Sequence, residues 1–269
     1  MSGAAVPIIY ALLLWWFSTG IILYLDGLPQ RTYRWSLLGA GVLAAGALIG
    51  LFLSAGVATP MGAYVAFTCA LLVWGWIEMS FLMGVVTGPR RSACPPGARG
   101  WRRFRCAWQA IAHHELLLAA TLLLIAGLCL RGENLVGLWT FLALWLMRLS
   151  TKFNVFLGVR NLAENWLPEG LRYLGSYFGR RPMNALFPFS ITLTTVATIL
   201  VFKAAFAPDA GAFEATGLLL IGSLLALGVI EHWFLILPIT LDRLFRWGFR
   251  SRDREAATST REATRPVRP

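Results

Sequence analysis

The stretch "WQAIAHHELLLAATLLL" (Trp108–Leu124) reads as part of a membrane-crossing helix, yet it holds His113, His114 and Glu115 side by side. Those are two of only three histidines in 269 residues. A helix needs about 20 apolar residues to cross a bilayer, and polar groups within one are costly. Whether this run is a span, and what its polar residues meet, decides the fold.

Runs of the same kind recur along the chain. Composition agrees: 57% of residues are hydrophobic, 14% are charged, and the mean hydropathy is +0.64. Soluble domains carry about 25% charged residues. The alternating ten-residue segments of a membrane β-barrel are absent. The sequence therefore predicts an all-α, polytopic transmembrane helical bundle. Seven spans are expected, at about 5–25, 36–57, 60–86, 107–130, 134–156, 186–207 and 214–240. The N-terminal run has no basic leader region, and it is longer than a signal-peptide core, so it is read as a retained first span. The three residues 58–60 make spans two and three antiparallel neighbours.

The net charge is +11, and all but two of the 24 basic residues are arginine. With no base-reading helix or nucleic-acid fold in sight, this charge points to lipid and not to nucleic acid. Alternation of seven spans puts 22 of the 24 on one side, against Arg131 and Lys203 on the other. The positive-inside rule then puts the N-terminus outside and the C-terminus in the cytoplasm. The basic cytoplasmic face includes Arg102, Arg103, Arg105, Arg180, Arg181, Arg243, Arg246 and Arg250. An interfacial helix is expected at about 167–179, with Leu171, Leu174 and Phe178 on its apolar face. Residues 241–269 read as a basic, disordered cytoplasmic tail. Cys69, Cys94, Cys106 and Cys129 form no CxxC pair and read as free thiols. Gly41, Gly46 and Gly50 suit close helix approach. Trp35, Trp101, Trp166 and Trp247 read as interfacial belt residues, while deeper tryptophans such as Trp15 and Trp74 pack between helices.

The polar residues inside the spans fall at one level. Counted from the nearest cytoplasmic arginine, Glu78, His114, Arg148 and His232 agree in depth within roughly one helical turn. The expectation is a single internal cluster of Glu78, His113 or His114, Glu115, Glu231 and His232, supported by Arg148 and Asn154. Adjacent helix residues point ~100° apart, so one member of each adjacent pair faces the cluster. Three readings stay open. The groups can pair with one another and fix packing. They can ligate the central metal of a tetrapyrrole, a pigment or haem. They can hold a transition metal in a membrane oxidoreductase or hydrolase. No HExxH or paired ExxH motif, phosphate loop or catalytic triad is present.

Three stretches together, "WWFSTGIILYLDGLPQRTYRWS" (15–36), "LMRLSTKFNVFLGVRNLAENWLPEGLRYLGSYFGRRPMN" (146–184) and the "HHE" of the fourth span, resemble the PuhE family of photosynthetic complex assembly proteins of phototrophic bacteria. The resemblance covers most of residues 9–240 and is most specific in 146–184. It implies a factor of the bacterial inner membrane, N-terminus periplasmic, encoded with genes for the reaction centre and bacteriochlorophyll synthesis, which assists complex assembly and handles bacteriochlorophyll or a precursor, or regulates its supply, through the Glu/His cluster. The implied partners are reaction-centre and core light-harvesting subunits or other assembly factors. It supplies no catalytic residues.

Overall fold

Thr59 accepts a hydrogen bond from Gly62 N (3.1 Å) and Pro60 occupies the first helical position, which together start a helix in the way these residue types favour. The helix they open runs Pro60–Leu82. It is the most buried helix in a computed structural model of the chain, which describes residues 2–162, 164–239 and 244–252. Seven long helices are present: α1 (Ser2–Asp26), α2 (Tyr33–Ser54), α3 (Pro60–Leu82), α4 (Gly100–Cys129), α5 (Val136–Leu157), α6 (Phe187–Ala205) and α7 (Ala212–Phe234). No strand occurs among the described residues, and Val159 and Arg180 make one isolated β-bridge. All helices except α5 are long and apolar enough to cross a membrane. Arg148 and Lys152 lower the hydropathy of the 22-residue α5.

Helix ends depart from the expected spans for local reasons. α3 stops at Leu82, not 86, because the chain reverses at Gly84 in the left-handed region (φ 75°). α7 stops at Phe234, not 240, ahead of Pro238. Asn161 Nδ2 donates to the freed carbonyls of Phe234 (2.7 Å), Leu237 and Ile239 (3.1 Å). α4 begins at Gly100, so Arg102, Arg103 and Arg105 lie in its first turns and not in a loop. Residue 240 and Arg243 lie outside the described residues.

α3 is central, packing against α1, α2, α5 and α7, while α6 pairs with α7. Phe67, Ile77, Leu118, Phe141 and Leu220 are fully enclosed in the main core. Gly50 and Gly41 do admit close neighbours. A Cβ on Gly50 would lie 2.6 Å from Cys69 Sγ, and one on Gly41 3.3 Å from Trp76 Nε1. Gly46 faces open space and has no such role. The four cysteines are free.

The two ends of the bundle differ in charge. At one end Asn134 donates to the carbonyls of Ser54 (3.1 Å) and Val57 (3.3 Å), joining the α2–α3 and α4–α5 turns near Arg131. At the other end the arginine-bearing segments meet. Arg103 donates to the carbonyls of Phe156 (2.9 Å) and Tyr177 (2.6 Å). Tyr177 donates to Ser92 O (2.9 Å) and accepts from Arg90 Nε (2.7 Å). Burial pushes its phenol pKa up, and Arg90 pulls against that shift.

Two segments at this end differ from expectation. The region 167–179 forms a 3₁₀ helix, Glu169–Tyr177, whose apolar residues pack on Phe81, Cys106 and Ala110. Its buried residues are Leu171, Leu174 and Tyr177, not Phe178, because three residues per turn stack positions i and i+3. Residues 244–252, expected in a disordered tail, include a helical run at 246–252 laid on α1. Phe245 is 1% exposed and sits edge-on to Trp15 and Trp166. Trp247 packs on Trp16 and Phe17, and Arg252 pairs with buried Asp26 Oδ1 at 2.6 Å. Trp166 and Trp247 are therefore packing residues, whereas Trp35 and Trp101 are exposed. Residues 253–269 of the tail lie outside the described residues.

Candidate functional site

α5 carries Trp145, Arg148 and Lys152 at spacings of three and four, so one face of the helix presents all three. That face meets Glu78 of α3 and Glu115 of α4. Lys152 Nζ donates to Glu115 Oε1 at 2.5 Å, and Trp145 Nε1 donates to Glu115 Oε2 at 3.1 Å. Arg148 Nη2 reaches Glu78 Oε2 at 3.4 Å. His114 is fully buried, with Nε2 3.6 Å from Glu78 Oε1 and 4.0 Å from Glu115 Oε1, and its ring leans on Phe81 (4.5 Å). Two carboxylates and two cations balance, so the cluster avoids the large cost of isolated charge away from water.

α4 is locally pinned where it delivers these groups. Segment 84–90 runs against its backbone, with Arg90 N donating to Gln109 O (3.1 Å) and His114 N donating to Thr87 O (3.0 Å). Gly88 permits the approach, since a Cβ there would come 2.1 Å from Gln109 O.

The single cluster expected from the sequence divides into separate parts. Glu78, His114, Glu115 and Arg148 come together. His113 is exposed on the outer face of α4, about 100° round from His114. His232 belongs to a second network between α5, α6 and α7. Its Nδ1 donates to Gly228 O (2.8 Å), so in the neutral ring Nε2 accepts from the Ser150 hydroxyl (2.8 Å). Asn154 extends that network by donating to Ser150 O and Ser190 Oγ (both 3.0 Å) and accepting from Asn184 Nδ2 (3.1 Å). Asn154 is thus buried polar support, but for the α5–α6–α7 contact. Glu231 joins neither network. It makes no ion pair within 4 Å among the described residues and faces a cavity.

That cavity, of about 380 Å³, lies between α1, α3, α5, α7 and the 161–178 segment. Its charged lining is Glu78, Arg148, Lys152 and Glu231, and its walls include Trp15, Trp74, Phe81, Phe156 and Trp166. The volume is in the range of small-molecule sites, and apolar walls with a few polar groups are typical of them. Neither His114 nor His232 lines it. Neither residue therefore presents an imidazole to this cavity. His232 has both nitrogens engaged, and His114 points its Nε2 towards two carboxylates. Among the described residues no three His, Cys, Asp or Glu side chains are grouped to hold a metal ion. Cations already neutralise both carboxylates of the cluster.

Of the basic face, Arg102, Arg105, Arg180, Arg181, Arg246 and Arg250 are exposed, while Arg103 is partly buried by its backbone contacts. Lys152 and Trp145 were legible as an ionisable residue and a deep tryptophan inside the fifth span, but not as partners of Glu115, and Ser150 was not foreseen. For Trp145 and Lys152 the signal was the α5 spacing, which puts 145, 148 and 152 on one face, whereas Ser150 lies about 200° round from Arg148.

A helical bundle with six apolar spanning-length helices, a charge-paired interior and an internal cavity defines a multi-pass membrane protein. The chain belongs to the family described as "Protein of unknown function (DUF3623)", which matches residues 1–256. It is also 42% identical over 238 residues to a Rhodobacter capsulatus protein described as an uncharacterized 30.4 kDa protein in the puhA 5′ region, covering 87% of this chain and 86% of the relative. No solved structure matches it.

Proposed function

We propose that this protein is an inner-membrane assembly factor for the bacterial photosynthetic reaction centre and core light-harvesting complex, of the PuhE type. The carrying observation is the 42% identity, over most of both chains, to a protein in the puhA 5′ region. In this reading α5 also crosses the membrane, which brings the spans to seven, with its charges turned inward onto α3 and α4. The N-terminus is periplasmic and the arginine-rich end of the bundle faces the cytoplasm. The aromatic cavity receives an amphipathic small molecule, bacteriochlorophyll or a precursor. It would hold that molecule by its aromatic walls and by Arg148 and Glu231, without a histidine ligand.

The test is deletion and complementation in a phototrophic host. Deletion should lower the near-infrared absorption of the assembled core complex, and the wild-type gene should restore it. Unchanged complex in the deletion strain would overturn the proposal. A second reading, a scaffold without a ligand, draws on the closed Glu115–Lys152 and Glu78–Arg148 pairs. An Arg148→Gln/Glu231→Gln variant separates the two. If it accumulates normally and still complements fully, the cavity has no role and the scaffold reading stands.

A further inference from the structure

α5 ends because Gly158 takes φ +124°, and the chain returns beside this turn after the 3₁₀ helix. The two passes are pinned together. Val159 and Arg180 form the β-bridge, Gly179 N donates to Val155 O (2.9 Å), and Asn184 Nδ2 donates to Gly158 O (3.0 Å). The crossing needs glycine on both passes. A Cβ on Gly179 would lie 2.6 Å from Gly158 N, and one on Gly158 would lie 2.9 Å from Arg181 Cγ. The stem of Arg181 is thereby laid across Gly158.

This crossing frames an open pocket of about 540 Å³ lined by Val159, Arg160, Leu162, Arg180, Arg181 and Pro182. Three guanidinium-bearing residues meet there, and only Arg180 is paired, with Glu164 Oε1 at 2.7 Å. Arg160 and Arg181 make no hydrogen bond or ion pair among the described residues. Three arginines less one glutamate leave two uncompensated positive charges on a fixed backbone. The pocket lies where α5 ends and α6 begins. The first two turns of α6 expose Phe189 and Leu193, one helical turn apart on the same face.

We propose that the Arg160/Arg180/Arg181 pocket binds the phosphodiester headgroup of an anionic glycerophospholipid. Guanidinium forks match phosphate oxygens in charge and geometry, and basic pockets at the ends of spanning helices suit anionic headgroups. The acyl chains lie along the exposed apolar face of α6, which offers a free phosphate nothing. The site is independent of the assembly role.

The test uses the full-length protein in neutral detergent, with bound lipid counted by native mass spectrometry. Phosphatidylglycerol is expected to fill a saturable site. An Arg160→Gln/Arg181→Gln variant removes two such contacts and should bind it at least about tenfold more weakly, since one lost charge-assisted contact is already of that scale. An Arg31→Gln/Arg34→Gln variant removes the same charge elsewhere and should keep full affinity. Circular dichroism and an unchanged unfolding temperature establish that both variants are folded. Equal binding of phosphatidylcholine would overturn the proposal, as would full affinity in the first variant or an equal loss in both. Displacement of phosphatidylglycerol by equimolar inorganic phosphate would make the pocket a free-anion site and overturn the lipid assignment.

Discussion

Lys152 and Glu115 show why one buried charge cannot be changed alone. The Glu115 side chain is 3% exposed and that of Lys152 18%. Removing Lys152 leaves a carboxylate with a tryptophan N–H as its remaining donor. Lys152→Ala should cost about 3 kcal/mol of stability, as for other broken buried pairs. Glu115→Gln combined with Lys152→Met should recover most of that loss, since the uncompensated charge disappears. Thermal unfolding in detergent, arranged as a double-mutant cycle, measures the coupling. Two independent, additive losses would show that the pair is not the stabilising unit. Gly88 is the second single-residue test. Gly88→Ala places a methyl group against Gln109 O and should destabilise by about 1–3 kcal/mol, the cost of overpacking. Hydrogen exchange at the Arg90 and His114 amides should rise with it.

At the scale of elements, helical segment 246–252 behaves as a clamp on α1. Gly20 lets Trp247 lie directly on the α1 backbone, and Gly248 approaches Gly20 O in return. Ser251 Oγ donates to Tyr24 O (2.7 Å), and Arg252 reaches Asp26. Trp247→Ala removes the side chain that fills this seam. The expected result is faster tryptic cleavage after Arg246 and Arg250, with the main unfolding transition little changed. Unchanged cleavage would show that the clamp does not depend on Trp247. The helices were legible from apolar length, because a span must satisfy its own backbone and announces itself by composition. The clamp was not legible, because its arginines suggested a solvated tail and Gly20, which admits Trp247, is 227 positions away in the chain. The 3₁₀ helix was legible as amphipathic, but its three-residue period moved the buried face from Phe178 to Tyr177.

Across the whole molecule, charge and geometry agree on two unlike ends. The arginine-bearing segments interlock at one end through Arg90, Arg103 and Arg252, while Asn134 ties the other. If α5 crosses the membrane, a periplasmic alkaline phosphatase reporter fused after Glu133 should be active. The same reporter fused after Arg181 should be inactive, as should one fused after Arg252. Activity at both 133 and 181 would remove α5 from the spans and reverse the orientation of everything after it.

The sequence by itself determined the helical membrane class, the positions of the helices and the level of the ionisable groups. Each of these depends on local composition or on distance counted along one helix. It also brought Glu78, His114, Glu115 and Arg148 to a common level, and the structure joins them. Only the tertiary structure decided which way each helix turns about its axis. That rotation sends His113 outward, hands His232 to Ser150 and leaves Glu231 facing the cavity. Depth is a one-dimensional property of a helix, whereas contact depends on the azimuth set by packing against every neighbour at once.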